Sequence, residues 1–207
     1  PIPSSVRELV TNACDSQREK EMAVEILKGQ KTSADYYIER NGEAYTDSNF
    51  DPTYYKLETL NRIKNHIDIK YKRNEGIGFC DTFSVTDYGV GIGERRLEGI
   101  LELGYSTKRN TSENFGAFGL GAKVALSTGV DFYNITTVHN GKKFKLSCYP
   151  YTTKFNVPAF NPFITFSDGT KVHYHNTDEL NYTEVSFGVK KHNRNRFEEA
   201  VEEQLMY

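Results

Sequence analysis

Between residues 82 and 103 the chain prescribes a strand, a glycine-bearing loop and a helix in immediate succession, and this run constrains the fold more than any other stretch. Thr82 to Thr86 alternate as a strand does, Asp87-Tyr88-Gly89-Val90-Gly91-Ile92-Gly93 follows, and Leu97, Ile100, Leu101 and Leu103 then recur at helical spacing. Gly89 and Gly91 let backbone come close to a ligand beyond the strand end. An acid at that end, Asp87, can accept a hydrogen bond from an exocyclic amine, and a buried bond of that kind separates adenine from guanine. Two other readings compete, an ordinary strand-to-helix turn and a dinucleotide fingerprint. The fingerprint needs Gly-x-Gly-x-x-Gly, and Gly93 arrives one residue early.

Upstream the period is helical. Ser4 or Ser5 can cap a helix whose apolar positions Val6, Leu9, Val10 and Ala13 fall on one side. At about 100° per residue, Glu8, Asn12 and Asp15 then lie within roughly 60° of each other on the opposite side. A carboxylate and an amide one turn apart can divide the work of phosphoanhydride hydrolysis. The amide oxygen is a hard neutral ligand for Mg²⁺, and Glu8 can take the proton from an attacking water. The competing reading is the solvated face of an amphipathic helix. A second helical stretch through Met22, Val24, Ile26 and Leu27 ends near Gly29, and residues 31–62 read as an insertion with helical content near its end.

Downstream of the insertion, Ile67, Ile69 and Tyr71 alternate with Asp68, Lys70 and Lys72, and Asn74-Glu75-Gly76 permits a reversal into the strand before Asp87. Further strands are expected near Asp131–His139, Lys142–Tyr149, Lys171–His175 and Glu184–Val189, and a closing helix from Arg194 to Leu205 with Phe197, Val201 and Leu205 inward. Between the two sets lies Gly116-x-x-Gly119-x-Gly121 ahead of an apolar helical run, where backbone N–H groups and a helix start can hold phosphate oxygens, with Lys123 as a mobile charge. Gly121-Ala122-Lys123-Val124 lacks the Gly-Lys-Ser/Thr ending of a Walker A loop. The economical architecture is α+β, helices on one face of a mixed, mostly antiparallel sheet.

Composition excludes several alternatives. The 207 residues carry a net charge of −2, so no bulk positive field is available for sequence-blind nucleic-acid binding by this chain alone. Cys14, Cys80 and Cys148 form no CxxC pair, which fits a reducing, cytoplasmic setting. No run reaches the roughly 20 apolar residues of a membrane span. The start, Pro1-Ile2-Pro3, has no signal-peptide pattern and sits beside the first motif, as an excised domain would. His173 and His175 share a strand face, a pair more often surface than metal site, and Tyr36, Tyr37, Tyr45, Tyr54 and Tyr55 read as packing the insertion onto the sheet rather than as a binding surface.

In order, Glu8-x-x-x-Asn12-x-x-Asp15, Asp87-x-Gly89-x-Gly91 and the glycine-rich Gly116–Gly121 resemble the motifs of the GHKL ATPases, the class of gyrase B subunits, Hsp90, histidine kinases and MutL. Tyr182-Thr183-Glu184-Val185 resembles the family's late Gly-Thr strand motif with tyrosine in place of glycine. The resemblance covers nearly the whole chain. It implies a Bergerat-type two-layer sandwich over residues 1–207 that binds ATP or ADP with Mg²⁺ between helices and sheet. It assigns Glu8 as base, Asn12 as metal ligand and Asp87 as adenine reader. It places Asp15, Gly89, Gly91, Ile92, Ser106, Thr107, Lys108, Gly116, Gly119, Leu120, Gly121, Lys123 and Thr183 around the nucleotide. Gly104-Tyr105-Ser106-Thr107-Lys108 resembles the lid entry of MORC-like members, and Val6–Asn12 with Phe118–Lys123 is similar to phage rIIA-like proteins, which would make the setting a host cytoplasm. Relatives usually hydrolyse as dimers, with a segment before the first helix and a transducer domain after the ATPase domain, so slow turnover driving dimerisation or a conformational switch is the implied function. A non-hydrolysing switch or a structural clamp is the alternative.

Overall fold

The computed structural model describes residues 2–32, 37–40, 43–46, 50–76, 80–100, 130–148, 150–152, 158–160, 164–165 and 174–205. In chain order the elements are α1 (Ile2–Leu27), β1 (Tyr37–Arg40), β2 (Glu43–Thr46), a 3-10 turn at Pro52–Tyr54, α2 (Leu57–Asn61), β3 (Ile67–Lys72), β4 (Asp81–Asp87) and α3 (Glu94–Ile100). There follow β5 (Tyr133–His139), β6 (Lys142–Cys148), β7 (Pro150–Thr152), β8 (Pro158–Phe160), β9 (Ile164–Thr165), β10 (His175–Asn176), β11 (Tyr182–Val189), a 3-10 turn at Lys191–Asn193 and α4 (Arg194–Leu205).

The two helical stretches read from the sequence are one helix, and Ser4 and Ser5 lie within it instead of capping it. Nothing between Ala13 and Met22 is glycine, proline or β-branched, so no residue there favours a break. The helix stops at Gly29, whose φ of 72° is left-handed. The Gly29 amide donates to the Ile26 carbonyl and the Gln30 amide to the Glu25 carbonyl, each at 2.9 Å, the paired bonds of a Schellman cap.

The main sheet has the order β10-β6-β5-β11-β4-β3, with β9 also on β6, and each described pairing is antiparallel. The small hairpins β1-β2 and β7-β8 are separate from it. Register stacks the residues into rows across the face that carries the core. One row is Tyr71, Phe83, Phe187 and Tyr133, and the next is Ile69, Val85, Val185, Ile135 and Leu146. Val6, Leu9 and Ala13 of α1 and Phe197 of α4 close over these rows. The Phe197 ring lies 5.1 Å from that of Phe83 and 5.6 Å from that of Phe187. Burying each such ring stabilises the fold by about 1.5–3 kcal/mol. The arrangement is the α+β sandwich expected of the sequence.

A second core joins the C-terminal half of α1 to residues 50–63, where Ala23, Tyr55, Leu60, Ile63 and Val90 are buried together. Polar straps reinforce it. The buried Lys20 ammonium donates to the Ile63 carbonyl at 3.1 Å and also to the Asn65 side chain, and Gln17 donates to the His66 carbonyl. Tyr54 and Tyr55 pack on α1 and the 88–93 loop, and Tyr54 also meets His139 of the sheet. Within 31–62 the structure also holds β1 and β2, strands the sequence reading did not anticipate.

Candidate functional site

The apolar rows of the sheet give way at one end to a polar one. In register, Asp87 of β4 stands opposite Thr183 of β11, and Thr183 opposite Thr137 of β5. All are buried, with exposures of 6%, 6% and 0%. A face built of phenylalanine, valine and isoleucine thus ends in a carboxylate and two hydroxyls, buried polar groups that need hydrogen-bond partners. Asp87 accepts the Gly89 amide at 3.1 Å and hydrogen-bonds the Ser16 hydroxyl of α1. Burial pushes its carboxyl up to about 7, against the lowering effect of these two bonds. Thr137 ties the row to the loop, accepting the Ile92 amide at 2.8 Å and donating to the Tyr182 carbonyl at 2.8 Å.

The loop glycines are required by contact. A Cβ on Gly89 would stand 2.1 Å from the Ser16 hydroxyl oxygen, and one on Gly91 would stand 2.0 Å from the Val138 carbonyl. Gly91 also has φ 70°, where a side chain costs about 1–2 kcal/mol before any clash. Gly91→Ala should therefore lower the melting temperature and displace the Asp87 loop from β5. An unchanged melting curve together with unchanged amide shifts for residues 88–93 would show that the loop adapts.

Helix α1 brings its polar face to the same end. Ser16 touches Asp87, Asn12 lies one turn earlier and Glu8 two turns earlier, so the three share a stripe at four-residue spacing with about 12 Å of rise from Glu8 to Ser16. Glu8 and Asn12 are half-buried, and Asp15 is buried at 3% exposure with Arg18 3.8 Å from its carboxylate. A buried Asp15 is not what a freely solvated helix face would show. The amide oxygen of Asn12 suits a hard cation, and its half-buried position leaves it open to one.

Behind the loop stands a polar brace that sequence reasoning missed. The Tyr54 hydroxyl accepts the Gly93 amide at 2.7 Å, and the Tyr54 ring lies 4.2 Å from that of His139. His139 Nδ1 donates to the Val90 carbonyl at 2.8 Å, which the Asn181 amide also reaches at 2.8 Å. Burial lowers the His139 pKa from its ordinary value, so the ring is neutral with its proton on Nδ1. Arg96 of α3 lies 2.8 Å from Glu19, 4.2 Å from the Tyr54 ring centroid and 3.3 Å from the Tyr55 hydroxyl. Burial opposes the Arg96 charge, yet Glu19 and the two phenols keep it protonated. The hairpin that carries His139 and Asn140 had a sequence signal, Asn140-Gly141, both with positive φ between His139 and Lys142.

The structure places Asp87, Gly89, Gly91, Ile92 and Thr183 at the polar end of the sheet, and Glu8, Asn12 and Asp15 on helix α1. Ser106, Thr107, Lys108, Gly116, Gly119, Leu120, Gly121 and Lys123 lie outside the described residues, as does His173. His175 is exposed, and among the described residues no group of three His, Cys, Asp or Glu could hold a metal ion. No described helix is long and apolar enough to cross a membrane.

Comparison with curated proteins gives no match. Among protein families, the sequence profile described as histidine kinase-, DNA gyrase B-, and HSP90-like ATPase matches residues 2–159, more than half of the chain.

Proposed function

From the premise that the chain belongs to the histidine kinase-, DNA gyrase B- and HSP90-like ATPases, we propose that it binds ATP with magnesium and hydrolyses it slowly, coupling the nucleotide to dimerisation or a conformational switch. The observation that supports this most is the docking of Ser16 on the Asp87 loop, where its hydroxyl accepts the Val90 amide at 3.3 Å beside Asp87. It fixes the Glu8–Asn12–Ser16 stripe against the polar end of the sheet. A base held at Asp87 would then leave its phosphates free to run along α1 toward Asn12 and Glu8. Residues 1–207 form one ATPase domain in this reading, and residues 31–62 are an insertion whose end braces the base loop.

Each role follows from chemistry already described. Asp87 accepts the exocyclic amine of adenine, and Thr183 lines the same edge. Asn12 is the residue that would hold magnesium, which when bound neutralises phosphate charge. Glu8 takes a proton from the attacking water. The glycine-rich segment 116–121 and Lys123 are assigned to the phosphates by their motif.

Asp87→Asn places amide hydrogens against an amine and should weaken ATP by roughly 1–3 kcal/mol, about 5- to 150-fold in Kd. The wild type should prefer ATP to GTP, and equal affinities would remove the adenine assignment. The sign of the pH effect follows from a carboxyl raised to about 7. In the free protein the neutral acid is favoured, and that contribution to stability is full below the ordinary carboxylate value and lost as pH rises through 7. An amine donor favours the carboxylate, so binding should release protons and tighten between about pH 6 and 8. Calorimetry at pH 7 in buffers of different ionisation enthalpy measures this, and proton uptake would contradict it.

Asn12→Ala should reduce affinity for ATP in the presence of magnesium far more than affinity in chelator. Equal losses in both conditions would make Asn12 a packing residue.

A further inference from the structure

The hydroxyl of Thr137 has a fixed hydrogen-bond account. Its one proton goes to the Tyr182 carbonyl at 2.8 Å, and one lone pair receives the Ile92 amide at 2.8 Å. The Thr183 hydroxyl oxygen lies 3.1 Å away. Since Thr137 has no second proton, the contact is made by Thr183 donating to the remaining lone pair of Thr137. Thr183 then has only lone pairs left, and it stands beside Asp87 on the same face of the sheet.

We propose that Thr137 is a specificity-determining residue: by taking the Thr183 proton it makes Asp87 and Thr183 a pair of acceptors that suits the two hydrogens of a 6-amino group and offers no donor to a 6-keto oxygen. This rests on the ATP reading given above and adds to it the residue that sets the polarity. A threonine free to rotate would donate to a keto oxygen as readily as it accepts from an amine, and would weaken the discrimination that Asp87 supplies. A committed one cannot. The same oxygen receives the Ile92 amide, so the polarity of the base edge and the seating of the glycine loop depend on one atom. Thr137 does not touch the base in this account. It acts through Thr183.

The test compares ATP with inosine triphosphate, which exchanges the 6-amine for a keto oxygen and places a hydrogen on N1. Affinities for both are measured by calorimetry for the wild type, Thr137→Val and Thr137→Ser. The valine is isosteric but lacks the hydroxyl. It should lower the ratio of ATP to inosine triphosphate affinity by about fivefold or more, the scale of one misdirected hydrogen bond, with Thr137→Ser restoring the ratio. If the valine weakens both nucleotides alike, or leaves the ratio unchanged, Thr137 merely supports the loop and the inference is overturned while ATP binding stands. A wild type that binds neither nucleotide overturns the ATP reading itself. A second measurement covers a valine variant that does not fold. In the wild-type protein the slowly exchanging Thr183 hydroxyl proton should show a nuclear Overhauser effect to the Thr137 methyl group, and a proton directed to Asp87 instead would overturn the inference.

Discussion

Replacing Glu8 with alanine should cut steady-state phosphate release by about 10²–10⁴-fold, the usual share of a general base, while ATP affinity stays within a few-fold. The separation of binding from chemistry follows from position. Glu8 lies two turns, about 12 Å of rise, from Ser16 at the base-binding end, so it is too far along α1 to contribute to base recognition. It lies one turn before Asn12, near enough to act on a water at a phosphate held there without holding that phosphate itself. Its side chain is half-buried, away from the Val6, Leu9 and Ala13 face that packs the core, so truncation should not disturb folding. Glu8→Gln serves as the shape-preserving control. Undiminished hydrolysis in Glu8→Ala would refute the base assignment and favour a non-hydrolysing switch, and loss of binding would mean that Glu8 shapes the pocket.

How far such a site can be read from sequence depends on whether its signal is local. The Glu8–Asn12 face and the Asp87 loop are local patterns, set by a period of 3.6 and by glycines within seven residues of one another, and both were legible. Thr137 was not. It sits in a strand where a buried threonine reads like its neighbours Ile135 and Val138, and only the register of β11 between β4 and β5 sets it beside Thr183. Ser16 extends the four-residue spacing of Glu8 and Asn12, but nothing local singled it out before its contact with Asp87 was known. The unbroken length of α1 was hidden for a different reason. Its middle, Asp15 to Glu21, is polar throughout, which suggests a solvated break, whereas Lys20 is buried and satisfied by a carbonyl more than 40 residues away. The tyrosines of the insertion could be read as bulk packed on the sheet, but the particular partners of Tyr54 and Tyr55, Gly93, Arg96 and His139, are distant in the chain.

At the other end of β4 the same strand carries a carboxylate with the opposite task, and here the largest stability effect is expected. Asp81→Asn should destabilise the fold by about 1.5–3 kcal/mol at neutral pH, the scale of hydrogen bonds made to a charged group. Asp81 is fully buried. It accepts the Arg194 guanidinium through Nε at 2.7 Å and Nη2 at 2.8 Å, the Tyr71 hydroxyl at 2.7 Å and the Asn74 amide at 2.8 Å. Four donors converge on two oxygens, and an asparagine would turn an N–H₂ group toward the guanidinium. The bonds from Arg194, aided by Asn74 and Tyr71 and opposed by burial, hold this carboxyl well below the usual carboxylate range. The native state therefore takes up its proton later than the unfolded chain does. The stabilisation is complete above the ordinary Asp value of about 3.9 and is lost as pH falls from there toward the lower native value. Urea unfolding of wild type and variant at pH 7, 5 and 3 should show a large difference at the first two and a smaller one at the third. A difference that stays constant to pH 3 would mean that the variant loses packing rather than charge. A difference near zero at pH 7 would mean that Phe197, packed edge-on against Phe83 and Phe187, docks α4 without help from Arg194. The two carboxylates of β4 are distinguished by their partners. Asp81 meets a cation and is held ionised to secure the helix, whereas Asp87 meets only a hydroxyl and an amide, and burial raises its carboxyl to about 7.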